Sequence, residues 1–251
     1  MINDFERFKN LCKDTFYNSR QAERNTIGTL GEKRLHAVLK KYYEPTEANH
    51  EVKVGRFVAD IKNDSGITEI QTRSFNVLRR KLEAFLPEYE VTVVYPIAKT
   101  KWLCWIDEAT GEVTKKRKSP KTGAPCDICT ELYKIKSLLL HTNLRLSIPL
   151  LELEEYRILN GWSADGKKGA TRYERIPTAL LDIVEIVSPE DYRKLLPPNL
   201  PQSFTSKDFQ KTAKLSPHAA GTALNVLHAV KAVERIGKSG NRYIYQVPKP
   251  L

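Results

Sequence analysis

The chain has 251 residues, 41% of them hydrophobic, which is enough to bury a core in one large domain or in two. Its formal net charge of +11 favours a polyanionic partner, either nucleic acid or an anionic membrane surface. No apolar run is long enough to span a bilayer, "MINDFERFKNLCKD" at the start has no apolar signal core, and four cysteines are too few for a disulfide framework. These features predict a cytoplasmic protein, with nucleic acid expected as the partner rather than a membrane.

Residues 22–43 have helical period, with Ile27, Leu35, Val38, Leu39 and Tyr42 on one stripe and Gly28 and Gly31 within it. An interior helix glycine costs about 1 kcal/mol against Ala, so this placement points to close approach to a sheet or to a broken helix start. Strands are predicted at 51–54, 57–62 and 67–72, then a helix at 76–86 and a buried strand at 89–97. That order is an α/β pattern. Residues 101–123 read as a hairpin turning at Asp107–Gly111 and ending in a basic loop. Five basic residues and no acid fall in "TKKRKSPKTG" (114–123), so Lys115, Lys116, Arg117 and Lys118 either track a phosphate backbone or are simply solvated. Trp102 and Trp105 are read as core or sheet-wall residues.

Cys126 and Cys129 form a lone CxxC. His141 is the only further zinc ligand in view and thioredoxin-like context is absent, so two buried thiols are the simpler reading. A helix is predicted over 127–141, a long strand or strand pair from 144, and a Gly-rich basic turn over 162–176. "LLPPNLPQ" (195–202) reads as a linker, and the residues after it (201–251) hold eight Lys/Arg against two Asp/Glu.

The segment Phe57–Phe75, "FVADIKNDSGITEIQTRSF", reads as two short strands around a turn at "NDSG". A two-residue or four-residue loop gives one register, with Asp60 directly opposite Glu69. Phe57, Ala59 and Ile61 then share a face with Ile70, while Asp60, Glu69 and Gln71 share the other. Like charges directly opposite destabilise a sheet, so the pair needs a positive partner or open solvent. A divalent metal and a solvated outer face are the two readings. Glu32, at the edge of the preceding helix's apolar stripe, is placed to join the acids. Lys62 shares the Asp60 face, as a second cation at the site or as a solvated strand-end lysine.

The run of Glu32 in "GTLGEKR", Asp60 in "FVADIK" and "EIQ" at Glu69–Gln71 resembles the PD-(D/E)XK nuclease superfamily over residues 22–97. Gln71 stands where that family usually has Lys, as a Glu-X-Gln variant. The resemblance implies a restriction-endonuclease-like mixed sheet flanked by helices, and hydrolysis of DNA phosphodiester bonds. It implies Mg²⁺ or Mn²⁺ held by Asp60, Glu69 and the Ile70 carbonyl, with Glu32 as a further ligand and Gln71 aligning water. A Gln orients water but carries no charge to stabilise the phosphorane.

Residues 204–247 read as a helix capped by Thr205 or Ser206, a tight turn, and a second helix with Ser216 as N-cap and Pro217 at its first position. Two strands follow around "GKSGN". This order resembles a winged helix-turn-helix domain. The resemblance implies that His218, Thr222 and Asn225 face DNA and that Lys238, Asn241 and Arg242 contact phosphate.

The expectation is a nuclease-like α/β domain at 1–198 and a small winged-helix domain at 199–251. The leading function is metal-dependent DNA endonuclease without a small-molecule cofactor, as a homodimer if both strands are cut. The alternatives are an inactive, nuclease-derived DNA-binding regulator and a protein-interaction module of a defence or mobile-element complex.

Overall fold

The computed structural model describes residues 3–22, 33–72, 74–162 and 168–248. Glu32, Gly28, Gly31, Ile27 and Arg73 lie outside the described residues. The fold is mixed α/β, with a mixed sheet flanked by helices, as the element order predicts. The chain forms two compact units interleaved in sequence: 1–50, 98–123 and 149–183 in the first, and 51–97, 124–148 and 184–251 in the second.

In the first unit, α1 (Asp4–Ala22) packs on α2 (Lys33–Tyr43). Phe8 meets Tyr42 edge to face at 5.2 Å, and Leu35, Val38 and Leu39 are buried as their stripe predicts. The helix α1 has no counterpart among the sequence expectations. The sheet of this unit is built from β5 (Ile97–Asp107), which pairs with the short β6 (Arg117–Lys118), and from β7 (Leu144–Trp162), which pairs with β8 (Lys168–Ile186) and with β5. Arg117 and Lys118 of the expected basic loop are therefore strand. A buried ion pair, Arg34 to Glu174 at 2.9 Å, ties α2 to β8.

The second unit begins with the predicted hairpin. Its strands follow the order β1 (His50–Val54), β2 (Phe57–Asn63), β3 (Gly66–Ile70), β4 (Val91–Val94), then the start of β7. Strand β3 runs antiparallel to β2 and parallel to β4, and β4 runs parallel to β7. The helix α3 (Leu78–Phe85) buries Leu78, Leu82 and Phe85. The helix expected over 127–141 is broken instead: α4 (Cys129–Leu132) lies between 3₁₀ turns at Pro125–Ile128 and Tyr133–Leu138, with Ile135 non-helical. Cys126 and Cys129 are buried free thiols, and burial pushes Cys126 up to about 11.

The C-terminal elements fall where the caps place them. They are β9 (Ser203–Thr205), α5 (Ser206–Ala213), α6 (Pro217–Ala229), β10 (Glu234–Ser239) and β11 (Arg242–Gln246), with the three strands in the order β10-β11-β9. The Thr205 backbone N–H donates to Asp208 at 2.9 Å, and Ser216 Oγ accepts from the Ala219 N–H at 3.2 Å. Ala223, Leu224, Leu227 and Val230 are buried, as expected. Within 195–202, Leu195 is itself buried at the end of a 3₁₀ turn. Among the described residues no helix is long and apolar enough to cross a membrane.

Gly66 sets the start of β3. Its φ is +120°, and a Cβ there would lie 2.3 Å from the Glu90 carbonyl oxygen, the group that accepts the Ile67 N–H and opens the β3–β4 pairing. Gly66→Ala is expected to cost about 2 kcal/mol or more in urea unfolding, through strain and backbone displacement. A change under about 0.5 kcal/mol would show that the turn is not held this way.

Candidate functional site

The hairpin register places the two acids. Ile61 pairs with Thr68, Lys62 with Ile67 and Asn63 with Gly66, and continuing that register sets Asp60 opposite Glu69. Ala59, Ile61 and Ile70 are buried, as the predicted apolar face requires.

The other face is not solvated. Glu69 is 0% exposed, while Asp60 and Gln71 are half-buried. Asp60 Oδ2 accepts the Ile70 backbone N–H at 2.7 Å, so the carboxylate crosses from β2 to β3. Lys81 on α3 donates to both oxygens of Glu69, at 2.8 and 3.1 Å, and to the Val58 carbonyl at 2.7 Å. Its ammonium therefore bridges both strands of the hairpin. Burial, reinforced by the Asp60 charge, raises Glu69 from the ordinary carboxylate range to about 7, against the opposing pull of Lys81.

Lys81 is the residue that sequence reasoning missed. Leu78, Leu82 and Phe85 form the inward stripe of α3, and Lys81 lies at its edge, three residues after Leu78. A lysine at the margin of a buried stripe, following a strand with an unpaired acid, is the signal available in the sequence. Lys62, read as a second cation at the site or as a solvated strand-end lysine, lies half-buried over the Tyr89 ring at 5.5 Å. Among the described residues there is no group of three or more His, Cys, Asp or Glu placed to hold a metal. Asp60 and Glu69 are brought together, and Glu32 lies outside the described residues.

The helix residues expected to face DNA line a cleft, with His218 exposed and Thr222 and Asn225 half-buried. His218, Thr222 and Asn225 on α6 share a cavity of about 640 Å³ with Glu131, Tyr133 and Lys134, and Lys136 donates to Asn225 Oδ1 at 2.9 Å. The β10–β11 hairpin is open: every residue of β10 is exposed, as are Asn241, Arg242 and Tyr243. Arg235 and Lys238 lie over the Tyr243 ring at 4.2 and 4.9 Å. Lys115 to Lys118 are exposed in the first unit, where Lys116 is bonded to Glu154 at 3.0 Å.

The model of a domain of unknown function, DUF8091, matches residues 33–187. A Treponema pallidum (strain Nichols) protein, itself described only as uncharacterized, is 29% identical over 238 residues, which cover 90% of this chain and 89% of that one. No solved structure matches. The family match runs from α2 through β8, takes in Asp60, Glu69, Gln71 and Lys81, and covers more than half of the chain; the protein belongs to the DUF8091 family.

Proposed function

We propose that this protein is a metal-dependent DNA phosphodiesterase of restriction-endonuclease-like fold. The observation that carries this reading is the meeting of Asp60, Glu69 and Lys81 from two strands and a helix. Two acids and an amine next to one another are the side chains that metal-assisted phosphate hydrolysis needs. The residues fit a divalent ion: both acids offer hard oxygen ligands, and two carboxylates face the single Lys81 ammonium, a pairing that a further cation would balance. Asp60, Glu69 and the Ile70 carbonyl would hold Mg²⁺ or Mn²⁺, which when bound supplies Lewis-acid polarisation of the phosphate and a more acidic water.

The chain's own groups do the rest. Lys81 supplies the positive charge that Gln71 lacks, against the charge developing on the phosphoryl oxygens. Gln71, two residues after Glu69 on the same alternation face, orients water through its amide. In a winged-helix reading of the C-terminal segment, the open β10–β11 hairpin carries the DNA contact through Lys238, Asn241 and Arg242.

One observation favours a second reading, a DNA-binding regulator without activity: Lys81 already engages both Glu69 oxygens. Incubation of supercoiled plasmid with Mg²⁺ or Mn²⁺ separates the two. Nicking is expected, with losses of about 100-fold or more in Asp60→Ala, Glu69→Ala and Lys81→Met and a smaller loss in Gln71→Ala. Cleavage that survives Asp60→Ala and Glu69→Ala would remove this site from the chemistry. Tight DNA binding without cleavage would select the regulator.

Metal binding should also depend on pH. The folded value of Glu69, about 7, lies above the ordinary 4.5, so this group's contribution to stability falls as pH rises from 4.5 to 7 in the metal-free protein. Over the same window the carboxylate becomes free to accept an ion. Mn²⁺ is expected to raise the melting temperature by a few degrees at pH 8 and by less than about half as much at pH 6. Asp60→Ala should abolish the shift. Equal stabilisation at both pH values would disconnect Glu69 from the ion.

A further inference from the structure

The sheet of the first unit has two unlike faces. Trp102 pairs with Lys118 and Leu103 with Arg117, so alternation puts Trp102, Cys104, Lys116 and Lys118 on one side and Lys99, Lys101 and Arg117 on the other. The contacts agree. Lys116 bonds Glu154 and lies over the Trp102 ring at 5.4 Å, whereas Lys101 bonds Glu155, the next residue along β7, at 3.1 Å. On the Glu154 side, α1 contributes Lys9 and Cys12 to a cavity of about 280 Å³ also lined by Tyr156.

The opposite face gathers cations around one buried acid. Glu155 is 1% exposed. It accepts from Lys101 and from Arg157 Nε at 2.7 Å, and Arg172 Nε lies 3.7 Å from its second oxygen. One buried carboxylate needs one cation for charge balance, so two of the three charges exceed its demand. The Arg157 and Arg172 side chains are 34% and 54% exposed. Lys99 and Arg117 are exposed and add to the same side. Burial works against the Glu155 charge, and the Lys101 ammonium and Arg157 guanidinium overcome it, holding the carboxyl below its ordinary range.

Glu155 thus acts as an anchor. It hydrogen-bonds the Arg157 guanidinium and draws Arg172 into a looser ion pair, and holding both part-exposed guanidinium groups near one point lowers the entropy lost when they meet a second anion. The cations are spread over β8, β7, β5 and β6, roughly 14 Å at about 4.8 Å per strand. That span is too wide for one small anion and suits a run of backbone phosphates.

We propose that this sheet face is a nucleic-acid contact separate from the β10–β11 hairpin, in which Arg157 and Arg172, held by Glu155, grip DNA phosphates flanked by Lys99, Lys101 and Arg117. It rests on the DNA reading above and extends it to a second surface. The test is fluorescence anisotropy of a labelled duplex with EDTA present, over a range of salt. Arg157→Ala/Arg172→Ala is expected to bind about tenfold more weakly near 0.1 M salt, with the salt slope reduced by about two. Lys99→Glu/Arg117→Glu changes only exposed positions and should weaken binding at least as much. Lys9→Ala/Lys13→Ala on α1 should stay within about twofold; an equal loss there would mean that only bulk charge matters and would overturn the proposal. Unchanged binding in both sheet variants, while Lys238→Ala/Arg242→Ala weakens it, would overturn the proposal and leave the DNA reading standing. No binding by the wild-type protein at low salt would overturn both.

Discussion

The Lys81 ammonium, bonded to both oxygens of a fully buried Glu69 and to the Val58 carbonyl, is the contact on which the central hairpin depends. Register sets Asp60 and Glu69 opposite one another, and two carboxylates so placed repel. Burial makes the repulsion worse, because the low dielectric strengthens it and water cannot screen it. A cation from outside the hairpin is therefore required, and α3 delivers it from the margin of its apolar stripe. The balance is incomplete: two carboxylates face one ammonium, and burial together with the Asp60 charge keeps Glu69 above the ordinary carboxylate range. That residual negative charge makes the site a candidate for a second cation as well as a packed ion pair.

The first unit solves the converse problem. There a single buried carboxylate, Glu155, is surrounded by Lys101, Arg157 and Arg172, so the residual charge is positive. The two clusters have opposite deficits for the same physical reason: a buried charge recruits partners, and the partners need not sum to zero. One residual favours a metal ion and the other favours phosphate, which is why the proposed DNA phosphodiesterase reading draws on both.

Much of the chain was legible. The Asp60–Glu69 register followed from side-chain alternation and turn length, both local properties. Ser216-Pro217 and Thr205 marked helix starts because capping satisfies backbone N–H groups within three residues. The α6 stripe of Ala223, Leu224 and Leu227 followed from period. The helix expected over 127–141 failed because apolar spacing does not register a kink, and Ile135 leaves helical geometry there. The run Lys115–Lys118 read as one basic loop, but pairing with β5 sends Lys116 and Lys118 to one face and Arg117 to the other.

The sequence by itself determined which residues alternate, where helices begin, and that Asp60, Glu69 and Gln71 fall on one side of a hairpin. These are consequences of backbone geometry over a few residues. Only the tertiary structure decided what covers that side. Whether Glu69 meets water, metal or an amine depends on the position of α3, and the choice of Lys81 over Lys62 is a matter of packing direction. It likewise decided that His218, Thr222 and Asn225 share a cleft with Glu131, Tyr133 and Lys134 and that the β10–β11 hairpin is exposed. Both outcomes come from contacts between residues far apart in the chain, for which neighbouring residues carry no signal.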